Sequence, residues 1–374
     1  MSKLDFFTKS MVSLLGVAFS TLQVLVSTAR ALEYNEVYTP TSGVFELYKQ
    51  PTTINATCSG ELFEQSQSVG GVPIRVVAPA TSGTYPVLLF SHGVYDVDTE
   101  QAWLADYLAK YGYIVLSMQH IDSVSCNDLP IPPADSVFTK RSSDVNTVLN
   151  NLTTIQNSLN SSSGQTYTFD TNHIGFVGYS LGAETGLMKM KQATYLLRSG
   201  PVNYGDARIK AFFLMAGNFG GNTNQTIPGL DQSEANLAQL TQPMFWISGG
   251  ADTWMYALSS WDLELGAPGG NYYMHAPTMN HYQYETDGNS LFHALSEQFA
   301  CAFFDAKLMD ATFLRNASAV TALNNATAYS GDNPLNTYDL VSDNQPTDIW
   351  WWGTPLTVNS TYVGYATHTQ WPVP

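Results

Sequence analysis

The pentapeptide Gly178-Tyr179-Ser180-Leu181-Gly182 follows directly on the apolar run Ile174-Gly175-Phe176-Val177, and it constrains the fold more than any other segment of the 374 residues. It has the form of a nucleophile elbow, in which a strand turns sharply into a helix and holds the serine between them with its hydroxyl exposed. Glycines two before and two after the serine remove side chains that would collide in the turn. The pattern alone is weak, because ordinary glycine and serine usage gives on the order of 0.1 to 0.2 chance matches in a chain of this length. Its context adds to it. Upstream an apolar strand ends in glycine; downstream Leu181 to Leu197 carries Ala, Leu, Met, Lys and Gln with apolar residues at helical spacing, which predicts a helix. The competing reading is a serine in an ordinary glycine turn.

Around the elbow, short apolar runs alternate with longer helical patterns, the signature of an α/β fold with a mostly parallel central sheet and helices on both faces. Strands are expected at Ile74–Ala80, Val87–Ser91, Ile114–Met118, Ile174–Tyr179, Ala211–Ala216, Met244–Ser248 and Tyr272–Ala276. Helices are expected at Gln101–Tyr111, over Asp144 to Leu159, and at Ser290–Met309, whose Phe292, Phe299, Phe303 and Phe304 read as core packing rather than a cofactor box. The connection from Ala216 to Met244 is too short for a large cap domain, although Gly217-Asn218-Phe219-Gly220-Gly221 could form a mobile lip over an otherwise open site. No internal repeat is visible.

A serine hydroxyl is a weak nucleophile, so the elbow calls for a histidine to take its proton and a carboxylate to orient that histidine, in the chain order Ser, Asp, His. Asp252 follows the strand Met244–Ser248 through Gly249-Gly250-Ala251, which puts it at a strand's C-terminal end, where open α/β sheets bind ligands. Its bland alternative is a surface-turn aspartate, and Asp262 is the next acid in line. His281 lies past the last strand and before the last helix, where the base should reach the nucleophile. His275, inside the strand, reads as a packed side chain; His120 and His173 have no matching partner spacing. Acyl transfer also needs backbone N–H donors for an oxyanion. Leu181, at the helix start, offers one; Val94, in Phe90-Ser91-His92-Gly93-Val94, offers the other, with His92 read as a residue that fixes this loop.

These residues resemble the α/β-hydrolase superfamily, and within it the platelet-activating-factor-acetylhydrolase-like and dienelactone-hydrolase-like esterases. The resemblance runs from about Ile74 to Leu323. It rests on Val87-Leu88-Leu89-Phe90-Ser91-His92-Gly93, on Leu104-Ala105-Asp106-Tyr107-Leu108 leading to Tyr111-Gly112-Tyr113-Ile114-Val115, on the elbow, and on Gly250-Ala251-Asp252 and Asn280-His281-Tyr282. It implies a serine acyl-enzyme mechanism without a cofactor: Ser180 nucleophile, His281 base, Asp252 orienter, and the Val94 and Leu181 amides as oxyanion donors. Dienelactone hydrolases carry cysteine where Ser180 stands, which argues against that activity. Glu184, two residues past the elbow, is expected to face outward.

The ends of the chain bound where such an enzyme would work. Lys3 and Lys9, the apolar Met11 to Val26 and the small-x-small Ala29-Arg30-Ala31 read as an export signal over residues 1–31, with a membrane anchor as the rival. Removing it takes away three positive groups (Lys3, Lys9, Arg30) and one negative (Asp5), moving the formal charge from −16 to −18. So acidic a body disfavours nucleic acid and anionic membrane surfaces as partners. The catalytic domain is read as 32–324, and 325–374, with its Trp350-Trp351-Trp352 cluster, as a C-terminal extension. An oxidising route permits one disulfide among Cys58, Cys126 and Cys301; the weak preference is Cys58 with Cys126, and no cysteine and histidine spacing suggests a zinc site. Sequons at Asn55, Asn151, Asn160, Asn224, Asn316, Asn325 and Asn359 agree with a secreted glycoprotein. The expectation is therefore a secreted carboxylic ester hydrolase acting on small-molecule or polymeric esters: lipid, short-chain acyl or polyester. The alternatives are a phospholipase-A2-like or lipase activity, and a non-catalytic hydrolase-fold binding glycoprotein.

Overall fold

The computed structural model describes residues 61–123, 135–217, 228–231, 233–249, 252, 271–276, 279–285, 290–309 and 319, with short strands at 34–36, 49–51, 339–342, 348–351 and 354–357. The export signal, Cys58, Cys126, the glycine lip from Asn218 onward, Asp262 and most of the C-terminal extension lie outside these residues.

Nine strands form one sheet: β1 (Leu62–Val69), β2 (Val72–Pro79), β3 (Gly83–Ser91), β4 (Ile114–Met118), β5 (Tyr167–Tyr179), β6 (Ile209–Met215), β7 (Met244–Gly249), β8 (Tyr272–Ala276) and β9 (Asp339–Ser342). Their spatial order is β1-β2-β4-β3-β5-β6-β7-β8-β9. From β4 through β8 every neighbouring pair is parallel, while β1, β2 and β9 join antiparallel. Among the described residues the longer helices are α1 (Ala102–Lys110), α2 (Asp135–Asn150), α3 (Leu152–Ser163), α4 (Leu181–Lys189) and α5 (Ser290–Lys307), which flank the sheet.

The central strands β3, β4, β6 and β7 are largely apolar because both faces are covered, and successive residues divide between two cores. Phe213, Met215, Phe245 and Ile247 pack with Leu104 and Leu108 of α1 and Phe299, Phe303 and Phe304 of α5. Phe212, Leu214, Met244 and Trp246 pack instead with Val145 and Val148 of α2, Ile155 and Leu159 of α3, and Leu187 of α4. Burying each such phenylalanine or leucine contributes about 1.5–3 kcal/mol. This sandwich keeps the C-terminal ends of β3, β5, β6 and β7 in register, and the site is built there.

Three local expectations are corrected. The helix after the elbow ends at Lys189 rather than Leu197: Met190 is extended, Gln192 has φ +67°, and Tyr195–Leu197 pairs antiparallel with Gly200–Val202. Aromatic and branched side chains there suit a hairpin better than a helix. The stretch expected as one helix over 144–159 belongs to two, α2 and α3, divided at Asn151, whose side-chain amide donates to Thr147 O at 2.8 Å and satisfies a carbonyl at the end of α2. Strand β1 was not expected, because Glu64, Gln65, Ser66 and Gln67 lack an apolar run; it is an edge strand, anchored by Glu64 accepting two bonds from Arg75 at 2.9 and 2.8 Å.

Candidate active site

Strand β5 runs straight into α4, with Ser180 at the junction held at φ +51° and ψ −118°. A side-chain-bearing residue reaches positive φ only at a cost, commonly 1–3 kcal/mol, and the surroundings enforce it here. Ser180 N–H donates to Met215 O at 2.9 Å, and a Cβ on Gly182 would collide with the carbonyl oxygens of Ser91 and His92. Gly182 is therefore required by close approach of the β3 end to α4, and Gly178 by close approach to the backbone of Gly182 and Ala183.

The three side chains expected to act together are brought together. His281 Nε2 lies 3.0 Å from Ser180 Oγ, and His281 Nδ1 lies 2.8 Å from Asp252 Oδ2. A carboxylate beside Nδ1 accepts a hydrogen bond from Nδ1–H and holds the proton on that nitrogen, so Nε2 is left to accept from the serine hydroxyl. Asp252 follows β7, its N–H bonded to Gly249 O at 3.2 Å. His281 opens a short 3-10 turn (His281–Tyr284) with a capping box, Asn280 Oδ1 accepting from Tyr282 N–H at 3.1 Å and Gln283 Oε1 from Asn280 N–H at 2.8 Å. Tyr179, one residue before the nucleophile, donates its hydroxyl to His281 O at 2.9 Å and packs its ring against the imidazole. The elbow thus positions the histidine as well as the serine.

Beside the elbow lies the loop from Ser91 to Asp96. Gly93 N–H donates to Asp96 Oδ2 at 3.1 Å and Tyr95 N–H to Asp122 O at 3.0 Å, so the amides on either side of Val94 are both committed. Leu181, the first residue of α4, has an N–H with no carbonyl a turn behind it inside the helix. Burial pushes the Asp96 carboxyl up to about 6.

Beneath the loop is a polar cluster that the sequence reading did not find. Ser91 Oγ lies 2.9 Å from His120 Nε2, and His120 Nδ1 lies 3.1 Å from Oδ2 of Asp144, whose Oδ1 pairs with Lys140. Arg141 makes a two-pronged pair with Asp122, at 2.9 and 2.7 Å, and donates to His92 O at 2.7 Å and Gly93 O at 2.8 Å. His120 N–H donates to His92 Nε2 at 3.0 Å, which places the His92 proton on Nδ1, 2.6 Å from Gly93 O. Burial, reinforced by the Arg141 charge, depresses the basicity of both imidazoles and keeps them neutral. His120, for which the sequence offered no matching partner spacing, therefore has two side-chain partners, and His92 holds the loop through Gly93 O. One signal was available: Arg141 and Asp144 fall within the apolar stripe Val137, Phe138, Val145, Val148 of α2, where charge is out of place.

The remaining candidates lie elsewhere. His173 pairs with Asp170 at 2.6 Å, early in β5. His275 is in β8, its backbone registered between Ser248 and Asp339. Glu184 does not face outward: it is buried and accepts the Tyr195 hydroxyl at 2.6 Å. Cys301 is buried in α5.

A family model described as Chlorophyllase matches residues 41–190, which include the Ser91–Asp96 loop and the elbow but neither Asp252 nor His281. Chlorophyllase-1 of Arabidopsis thaliana is 31% identical over 86 residues, 23% of this chain and 25% of that protein. The chain thus spans about a quarter of the length of this curated relative. With the strand order and the elbow, these matches decide the superfamily. The chain has the α/β-hydrolase fold. Neither match bears on the platelet-activating-factor-acetylhydrolase-like or dienelactone-hydrolase-like branch. Among the described residues no helix is long and apolar enough to cross a membrane.

Proposed function

We propose that the chain is a serine carboxylic ester hydrolase. The observation that carries this reading is Ser180 Oγ at 3.0 Å from an imidazole whose far nitrogen lies 2.8 Å from Asp252, all at a strained strand-to-helix turn. His281 Nε2 takes the Ser180 proton as Oγ attacks the ester carbonyl, and Asp252 stabilises the imidazolium that results. The tetrahedral oxyanion is met by the Leu181 and Val94 N–H groups, a pair in which each donor is worth about 3 kcal/mol. Collapse expels the alcohol, which leaves with the proton from His281. Water, deprotonated by the same histidine, then cleaves the acyl-enzyme. The chlorophyllase similarity adds a chlorophyll ester to the substrate classes considered from sequence, which were lipid esters, short-chain acyl esters and polyesters. Residues 1–31 and the sequons support export and glycosylation of the mature chain from about Leu32.

The test is hydrolysis of p-nitrophenyl acetate, butyrate, octanoate and palmitate, and of chlorophyll, by purified mature protein beside Ser180→Ala. Turnover lost in the variant is expected, and the preferred chain length ranks the acyl pocket. Equal rates from both proteins on every substrate would overturn the reading and favour a binding glycoprotein.

A further inference from the structure

We infer that Arg141 is the positioning residue of the oxyanion site: by gripping the carbonyls of His92 and Gly93 from inside the fold, it aims and polarises the Val94 N–H. The inference rests on the ester-hydrolase reading above. Its geometry follows from the planarity of the peptide unit. Gly93 C=O and Val94 N–H belong to one trans peptide and point in opposite directions, so whatever fixes the carbonyl fixes the amide. Gly93 O receives both the Arg141 guanidinium at 2.8 Å and the His92 Nδ1–H at 2.6 Å, which occupies its two lone pairs. The preceding peptide is clamped in the same way, His92 O by Arg141 at 2.7 Å and Gly93 N–H by Asp96 at 3.1 Å. Tyr95 N–H bonds Asp122 O, and Tyr95 itself is held at φ +64°. The peptides on either side of Val94 are thus tied down on the protein side, and the Val94 N–H, for which no protein partner is found among the described residues, is left to face a ligand.

Two further features suit this role. Arg141 is fully buried and its charge is matched by Asp122, equally buried, through both carboxylate oxygens. Burying such a pair gains little stability over apolar side chains of similar size, so its value here is read as geometric. A guanidinium on a carbonyl oxygen also withdraws charge through the peptide, strengthening the N–H at its other end. Arg141 touches no reacting atom and acts only through the loop.

Arg141→Met is the first test, read against wild type and Ser180→Ala with a p-nitrophenyl ester and with phenylboronic acid, which forms a tetrahedral adduct on the serine. We expect kcat to fall by about 100-fold with KM within about twofold, and boronate affinity to fall in step with kcat. Arg141→Lys, which keeps the charge but cannot span two carbonyls and both Asp122 oxygens, should fall in between. Should Arg141→Met fail to fold, as judged by its near-ultraviolet circular dichroism, Asp122→Asn decides: it leaves the loop's backbone bond intact, loosens the guanidinium, and should lower kcat and boronate affinity together by about tenfold. Loss expressed in KM alone, or kcat loss without weaker boronate binding, would overturn the inference. A wild type no faster than Ser180→Ala would instead remove the hydrolase reading, whatever Arg141 does.

Discussion

Among its described residues the protein holds two Ser–His–Asp relays built to nearly the same dimensions. In one, Ser180, His281 and Asp252 are spaced at 3.0 and 2.8 Å; in the other, Ser91, His120 and Asp144 are spaced at 2.9 and 3.1 Å. Distances do not tell them apart. Backbone and access do. Ser91 is the last residue of a regular strand and is 0% exposed beside a histidine 2% exposed, whereas Ser180, 3% exposed, stands on a strained turn beside a histidine 8% exposed and followed by Tyr282, which is 52% exposed. The lesson is that a relay becomes a site only where a reacting atom can reach the serine and meet an oxyanion donor. The buried relay satisfies polar groups beneath the loop that is proposed to supply one of those donors.

The sharpest way to break this contrast is to remove each serine in turn. Ser180→Ala should lower the ester hydrolysis rate by about 10⁶-fold, and Ser91→Ala by less than about tenfold. A comparable loss from both would mean that the buried relay takes part in the chemistry. Removing the two acids comes next. Asp252→Asn should lower kcat by about 10⁴-fold because the histidine adopts the wrong tautomer, with little change in a urea unfolding midpoint. Asp144→Asn should do the reverse, costing about 1–3 kcal/mol of stability with kcat lowered less than tenfold, since it weakens a buried network that also includes Lys140.

Tyr179→Phe probes how closely the elbow and the histidine are tied. Losing the hydroxyl bond to His281 O should lower kcat by about fivefold, equivalent to ~1 kcal/mol, with KM unchanged. The smallest effect is expected outside both relays. Burial pushes the Glu297 carboxyl on α5 up to about 7, so the folded chain holds that proton more tightly than the unfolded chain does. The associated stability is complete below the ordinary carboxylate pKa and is lost as pH rises toward 7. Glu297→Gln should therefore raise the thermal midpoint relative to wild type at pH 8 and by less at pH 5. A larger gain at pH 5 would contradict the sign.

Legibility differed between regions for a physical reason. Strands β4 and β8 fall where apolar runs end at turn residues, and Ser180, Asp252 and His281 follow the chain order that an elbow on a parallel sheet demands. Strand β1 was hidden because an edge strand needs no continuous apolar run, and Tyr195–Leu197 was read as helix because its hairpin partner lies beyond the helical window.

Residue type and spacing along the chain were therefore enough to indicate the sheet, the elbow and the three residues at its rim, because each is signalled by its own neighbours. Only the tertiary structure decided that Glu184 is buried against Tyr195, that His120 has partners on both sides, and that Arg141 of α2 grips the loop after β3. Those contacts join residues 11 to 49 positions apart whose meeting depends on how strands and helices stack, and a polar side chain's partner is chosen by that stacking rather than by sequence neighbours.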